Sequence, residues 1–469
     1  MNPSSYLTSQ AEIEKWMKDY NSRSGKNIAH MRKIFLSLSE EVSVKKTAKY
    51  GKYFKPSEGT HPVQRWFECR EGFSIDLIKE ILRRNLPQRK VLDPFCGSGT
   101  TLVGSNELGI HAVGFDINPL VTFVAKVKTT VYSKEDIEKL TSVVLDILRI
   151  TDTSKRTDIP KLSVIDKAFN TEILDTLLKL KYKIDEIQED KIHDFLKLGW
   201  IAILETVSNT RKEGNGIKYK FTKRTGRGYI SLPQQQWEDN YFGKNKPEYV
   251  TKKLKSKYGE MLSDLRELGY VSLEPTIYTE SALELTNFLG KETSSIVLFS
   301  PPYANSFDYF EIFKIELWMG DFVKNYADLR TLRNRALRSN VNTNLDISRG
   351  DLDLPELDEL VSLMRDRKLW DRKLKKMVIG YFEDMNIVLK EIYQVIEPGG
   401  KCIVIVGNSA YADVLIPTGL LLSKIARRVG FQNLEIHVAR HLTTSSQQRK
   451  KLIGLKEYLR ESIISMEKK

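Results

Sequence analysis

Nine consecutive residues, Asp93-Pro94-Phe95-Cys96-Gly97-Ser98-Gly99-Thr100-Thr101, restrict the possible folds of this chain more than any other feature. Lys90-Val91-Leu92 leads in as a strand, and Leu102 to Leu108 leads out as a helix. A strand that ends in an acid, turns through glycines and opens a helix forms a nucleotide-type binding corner. Glycine lets the backbone pass close to a ligand, and the helix start aims its free amides at it. Taken alone, the corner is open to several nucleotides.

The surrounding pattern indicates the class of fold. Between His61 and Pro119, helix (Ser74 to Arg84), strand (Lys90 to Asp93), helix (Thr101 to Leu108) and strand (His111 to Asp116) alternate quickly. That rhythm implies βαβ units and a parallel sheet. It stops near residue 131, and residues 134 to 209 read mainly as amphipathic helices. Residues 211 to 250 read as loop and short strand, rich in glycine, lysine and aromatics. Strands resume at Thr276 to Tyr278 and Ile296 to Phe299. A turn at Glu397-Pro398-Gly399-Gly400 precedes another strand, and Asn433 to Val438 reads as the last. One α/β domain with a large insertion is expected, its Rossmann-like sheet carrying helices on both faces.

Composition narrows the function. No apolar run reaches the roughly 18 residues of a membrane helix, and Met1 to Lys18 has no apolar core of a secretory signal. Cys69, Cys96 and Cys402 are odd in number and dissimilar in context. They suggest a reducing cytoplasm rather than disulfides, and neither they nor the histidines have metal-ligand spacing. The net charge is +13. From Arg211 to Lys257 there are 13 basic and 4 acidic residues, a surplus of nine. Charge concentrated in this way reads as a phosphate-binding face.

Two further features give the corner a ligand and a reaction. The strand His111 to Asp116 ends in an acid 19 residues after Gly97, and Asn118-Pro119 closes the turn. An acid there can accept hydrogen bonds from both hydroxyls of a ribose. The third glycine of a dinucleotide fingerprint is absent, as is the Gly-Lys-Ser/Thr of a P-loop. Downstream, Ser300-Pro301-Pro302-Tyr303 follows the strand Ile296 to Phe299. With Asp93 to Thr101 and Ser300 to Tyr303 together, the chain resembles the amino-group DNA methyltransferases, which methylate the N4 amine of cytosine or the N6 amine of adenine from S-adenosylmethionine. The resemblance covers roughly 61 to 120 and 275 to 440, including Ile396 to Gly400 and Gly407-Asn408-Ser409, and leaves out the insertion. It differs in one respect. Relatives with this wording often place the catalytic motif first, whereas here Gly99 precedes Ser300 by 201 residues.

The resemblance implies roles. Phe73, Asp93, Phe95, Gly97, Gly99, Thr100, Asp116 and Asn118 would hold the cofactor, with Glu280 near the adenine amino group. Ser300, Pro301, Pro302 and Tyr303 would form the catalytic site. An exocyclic amine is a poor nucleophile because its lone pair is delocalised into the ring. The Ser300 oxygen and Pro301 carbonyl would accept its protons, the prolines holding the backbone still. The Tyr303 ring would stack on the base, which must first be flipped out of the duplex. Serine at the first motif position favours cytosine N4 over adenine N6.

The implied division is a polar, basic helical extension (1–60), a catalytic domain (61–130 and 273–445), a target-recognition insertion (131–272) and a basic helical tail (446–469). Arg211, Lys212, Lys218, Lys220, Lys223, Arg224 and Arg227 are candidates for contacts with double-stranded DNA. A cognate restriction endonuclease is an expected partner. An RNA methyltransferase and a non-catalytic DNA-binding subunit are the alternatives. The first lacks a recognisable RNA-binding module, and the second would not need both chemical motifs.

Overall fold

The computed structural model describes residues 23–46, 50–54, 61–69, 73–85, 89–149, 155–214, 216–221, 233–268, 273–350, 352–364, 369–411, 413–442 and 452–469. Its strands are β1 (Ser43–Lys46), β2 (Lys90–Asp93), β3 (Ala112–Phe115), β4 (Thr210–Glu213), β5 (Gly216–Tyr219), β6 (Thr276–Tyr278), β7 (Ser294–Phe299), β8 (Ile396–Gly407), β9 (Ser409–Tyr411), β10 (Val414–Ile416), β11 (Gln432–His441) and β12 (Arg460–Glu467). Eight of them form one sheet in the order β1-β11-β12-β8-β7-β2-β3-β6. Every neighbouring pair is parallel except those made by β12, which runs antiparallel between β8 and β11. This is the expected doubly wound, Rossmann-like sheet.

Alternation along the central strands puts core on both faces, as a buried parallel sheet requires. Leu92, Val297 and Phe299 point to one side, where helices α1 (Arg23–Glu40), α11 (Leu374–Val395) and α12 (Thr418–Val429) cover them. Val91, Ile296 and Leu298 point to the other side, under α2 (Ile75–Asn85), whose Leu77, Ile78, Ile81 and Leu82 are fully buried. Helix α3 (Thr100–Asn106) follows β2, and α4 (Pro119–Thr129) follows β3.

The chain between β3 and β6 builds a second core. It contributes α5 (Lys134–Leu148), α6 (Thr171–Asp185), α7 (Asp190–Val207), the β4–β5 hairpin and α8 (Lys246–Leu268). Trp200, Phe195 and Tyr258 are fully buried there. This core also takes in Val63 and Trp66, the inner face of α4, and residues 307–329, which include α9 (Lys314–Met319) and the start of α10 (Tyr326–Arg335). Asp264 of α8 ties the pieces together. It is buried and accepts from the Val63 amide at 3.0 Å, the Trp66 indole at 2.9 Å and the Arg65 guanidinium. The insertion is therefore fused to its host.

Both ends of the chain depart from expectation. The N-terminal stretch is not merely a polar helical extension. Met31, Ile34, Phe35 and Leu38 of α1 enter the main core, and β1 pairs in parallel with β11. Where described, the tail passes through a short 3-10 helix (Ile453–Tyr458) and then ends as a strand. Arg460–Glu467 is an interior strand, with Ile463 and Ile464 buried on opposite faces. β-branched residues suit that position, and flanking charges hide it in a one-dimensional reading. No helix among the described residues is long and apolar enough to cross a membrane.

Candidate active site

Strand β2 lies between β3 and β7, so the strand order reverses at the β2–β7 seam. Ligands of open α/β sheets bind in the crevice outside the carboxyl ends of such a seam. The two motifs occupy those ends, Asp93 finishing β2 and Ser300 following β7.

The glycine corner is held by a set of short hydrogen bonds. Asp93 Oδ1 accepts from the Phe95 amide at 3.0 Å, and the Cys96 amide donates to the Phe115 carbonyl at 2.8 Å. Gly97 (φ 49°) and Gly99 (φ 90°) are left-handed, which only glycine adopts at little cost. A side chain on Gly99 would also meet Ala125 Cβ at 3.0 Å. Asp116 braces the corner from the next strand. One of its oxygens accepts from the Gly97 amide at 3.1 Å and the other from the Asn118 amide at 2.9 Å. Asn118 Oδ1 then caps α4 by accepting from the Leu120 amide at 3.1 Å, while its buried Nδ2 has no partner among the described residues.

These carboxylates are electrostatically primed. Burial pushes Asp93 up to about 7, against its hydrogen bonds and with the Asp116 charge adding to the rise. Burial likewise pushes Asp116 up to about 6, against three backbone hydrogen bonds.

The second motif faces the first across a cleft with about 150 Å³ of free volume. Pro94 to Ser98, Thr100, Asp116 and Asn118 line one side, and Ser300 to Tyr303 the other. The Tyr303 hydroxyl donates to Glu461 Oε1 of β12 at 3.1 Å, and its ring lies against Gly407 at the end of β8. Burial, reinforced by the Glu461 charge, holds the phenol well above its ordinary range. The hydroxyl of Tyr411 donates to the Ala304 carbonyl, fixing the loop just past the motif.

The cleft brings together Phe73, Phe95, Gly97, Thr100, Asp116, Asn118 and Ser300 to Tyr303. Asp93 and Gly99 stand behind the surface, Asp93 buried beneath the turn and Gly99 packed on α4. Glu280 departs from its expected place. Its carboxylate is taken by Arg335, and the adjacent Ser281 and Ala282 line the cleft instead.

The basic candidates also separate. In β4 the side chains alternate, so Arg211 is exposed and Lys212 turns inward. Lys212 pairs with buried Glu316 and with Glu205 and lies 4.6 Å from the Phe313 ring centre. It is a structural cation, not a surface contact. Lys220 is half-buried and donates to the carbonyls of Glu205, Thr206 and Ser208 at the end of α7. Burial lowers it to about 8. Arg211 and Lys218 remain exposed and share Glu213. Lys223, Arg224 and Arg227 lie outside the described residues.

Sequence reasoning missed one whole wall of the cleft, Ala336, Leu337, Ser339 and Asn340. Arg338 in its middle turns away. Its backbone amide donates to Asp384 at 2.8 Å and its guanidinium to the same carboxylate at 2.6 Å and 3.1 Å, with Arg349 adding a 3.0 Å pair. Asp384 is fully buried in α11. No local motif signals this wall, because its anchor lies 46 residues away.

Comparison with known proteins agrees with the geometry. The family model described as DNA methylase (N6_N4_Mtase) matches residues 3–126. The chain is similar to the Type II methyltransferase M.BsoBI of Geobacillus stearothermophilus, 25% identical over 87% of this chain and 86% of that protein. It is also similar to M.AvaI of Nostoc, 24% identical over 79% of each chain, and to M.MvaI of Kocuria varians, 24% identical over 74% of this chain and 76% of that one.

Proposed function

We propose that this chain is a member of the N6/N4 amino-methyltransferase family, to which it is similar, and that it is a site-specific DNA methyltransferase using S-adenosylmethionine and acting on the N4 amine of a flipped cytosine. The observation that carries the reading is the meeting of the glycine corner, Asp116 and Ser300 to Tyr303 in one cleft at the reversal point of the sheet.

The residues present fit the methyl donor. Asp116 offers acceptors for ribose hydroxyls, and the unpartnered Asn118 Nδ2 offers a donor for the nucleoside. Phe73 and Phe95 supply apolar walls. When bound, the cofactor provides an electrophilic methyl group. The chain supplies the rest. The Ser300 oxygen and Pro301 carbonyl accept the amine protons and draw the lone pair out of the ring. Tyr303, held by Glu461, presents a flat face to the base. Such positioning converts an encounter into a near-attack geometry.

Serine at position 300 supports cytosine over adenine. The Type II relatives support a place beside a cognate restriction endonuclease, with double-stranded DNA as substrate. The insertion supplies the target-reading surface, its exposed Arg211 and Lys218 among the contacts.

The test is sequencing of DNA from cells expressing the chain, by a method that distinguishes N4-methylcytosine from N6-methyladenine. One methylated motif carrying N4-methylcytosine is expected, and Ser300→Ala should abolish it while retaining cofactor binding. Methylated adenine would overturn the choice of base. No methylation, or full activity in Ser300→Ala, would overturn the mechanism.

A further inference from the structure

We propose that Asn340 is the base-reading residue of this site, its side-chain amide donating to the ring nitrogen beside the reacting amine. The inference rests on the methyl-transfer reading above and adds the part that reading lacks. In that reading the Ser300 oxygen and the Pro301 carbonyl both accept from the amine, and neither is assigned to the ring. Both candidate bases present a ring acceptor beside the reacting amine, N3 in cytosine or N1 in adenine. Flipping strips that acceptor of its pairing partner. Left unmet in a closed pocket, it costs the binding free energy of a hydrogen bond.

Asn340 has the chemistry and the place. It is 4% exposed and lines the cleft. Its Oδ1 accepts from the Asn342 amide at 3.0 Å. Only the carbonyl oxygen can take that bond, which settles the orientation of the amide and leaves Nδ2 as the free end. Nδ2 has no hydrogen-bond partner among the described residues.

The wall places this donor at the catalytic end. At its start, Ser281 Oγ donates to the Arg335 carbonyl at 2.8 Å, beside the residues that line the cleft after β6. Four residues on, the Ser306 amide donates to the Ser339 carbonyl at 3.0 Å, three positions beyond Tyr303. The Val341 amide donates back to Ser306 Oγ at 3.3 Å. Asn340 sits between these two bonds, against the loop that carries Ser300 to Tyr303. It is also held rigidly. Arg338 is locked to Asp384 on one side of it, and Asn342 Nδ2 donates to Asp308 at 2.8 Å on the other. A fixed donor selects as well as binds, since thymine and guanine present an N–H at the corresponding ring position and would meet it donor to donor.

The experiment is a cycle between protein and base in the full chain. The substrates are duplexes bearing the methylated motif returned by sequencing, with the target either native or a ring-deaza analogue that keeps the amine. The analogue is 3-deazacytosine, or 1-deazaadenine should the base be adenine. Wild type should methylate the analogue about tenfold or more slowly than the native base. Asn340→Ala should slow the native base by a similar factor and show no further loss on the analogue, with S-adenosylmethionine affinity within about twofold. The cycle cancels any change the deaza ring makes to the amine itself. Asn340→Asp, isosteric but unable to donate, should be at least as slow as alanine on the native base, and Asn340→Ser serves if alanine does not fold. Equal rates of wild type on both bases, or losses that simply multiply, would overturn the assignment while leaving the methyltransferase reading intact. A wild-type protein that methylates no DNA would overturn both.

Discussion

Gly407→Ala tests whether the position of the Tyr303 ring matters to the chemistry. Gly407 closes β8 opposite Glu461 of β12, and its backbone is ordinary, so alanine adds no strain of its own. The added methyl would instead fall 2.9 Å from Tyr303 Cε2 and 3.3 Å from Cδ2. Carbon atoms rest at about 3.5 Å or beyond, so the ring must retreat by roughly 0.6 Å. Gly407 backs the ring and the cleft lies before it, so the retreat narrows the space in which a base would stack. It also stretches the hydroxyl's bond to Glu461 from 3.1 Å past the useful range. A misplacement of about 1 Å in a reacting constellation costs on the order of a hundredfold. This shift should cost ten- to a hundredfold in single-turnover methyl transfer. The cofactor half of the cleft is untouched, so S-adenosylmethionine affinity by calorimetry should stay within about twofold. The fold should lose only about 1 kcal/mol, the scale of one hydrogen bond. Full single-turnover rates in a folded Gly407→Ala protein would refute the stacking role of Tyr303. An equal collapse of cofactor affinity would show that the two halves of the cleft are not separable.

Three other outcomes are expected. Asp116 titrates near 6 in the free protein, and only its ionised form accepts from both ribose hydroxyls, so cofactor affinity should be level above pH 7 and about tenfold weaker at pH 5; Asp116→Asn should flatten that profile in calorimetric titrations. Asp384→Asn leaves Arg338 and Arg349 without their shared buried counter-charge and should lower stability by about 3 kcal/mol in denaturant unfolding, a value below about 1 kcal/mol showing that the wall is anchored elsewhere. Charge reversal of Arg211 and Lys218 should weaken DNA binding and flatten its dependence on salt, whereas Lys212→Met should alter stability and leave the salt slope unchanged.

The contrast between Lys212 and Arg211 shows what the sequence could carry. Both stand in one basic run, and counting charge cannot tell them apart. The alternation of a four-residue strand separates them, and the partner that receives Lys212 is Glu316, 104 residues away. The corner at Asp93 to Thr101 was legible for the opposite reason. Its requirements are local: left-handed backbone at two glycines, an acid at a strand end and a second acid one βαβ unit later. Ser300 to Tyr303 was legible for the same reason, since its chemistry resides in adjacent atoms. Glu461 and Asn340 carry no such signal. Each matters only because the sheet brings β12 beside β8, or because Asp384 pulls the wall against the loop after Tyr303.

That division bears on the unusual order of the motifs. Strands β2 and β7 are direct neighbours, with Val91 opposite Ile296 and Leu92 opposite Val297. Their carboxyl ends form one cleft whichever strand the chain visits first, so placing the glycine corner ahead of the Ser300 loop changes nothing in how the two meet. What the order does set is the place of the variable segment. Here the chain leaves the sheet after β3 and returns at β6, and the helices built in between share a core with Trp66, α4 and residues 307–329. Those residues lead into and away from the cleft: Trp66 precedes Phe73, α4 starts beside Asn118, and Phe307 follows Tyr303. A surface that read DNA on that insertion would thus be in rigid register with the pocket proposed for the flipped base. Substitutions in the shared core, such as Asp264→Asn, should accordingly disturb the choice of site along with stability.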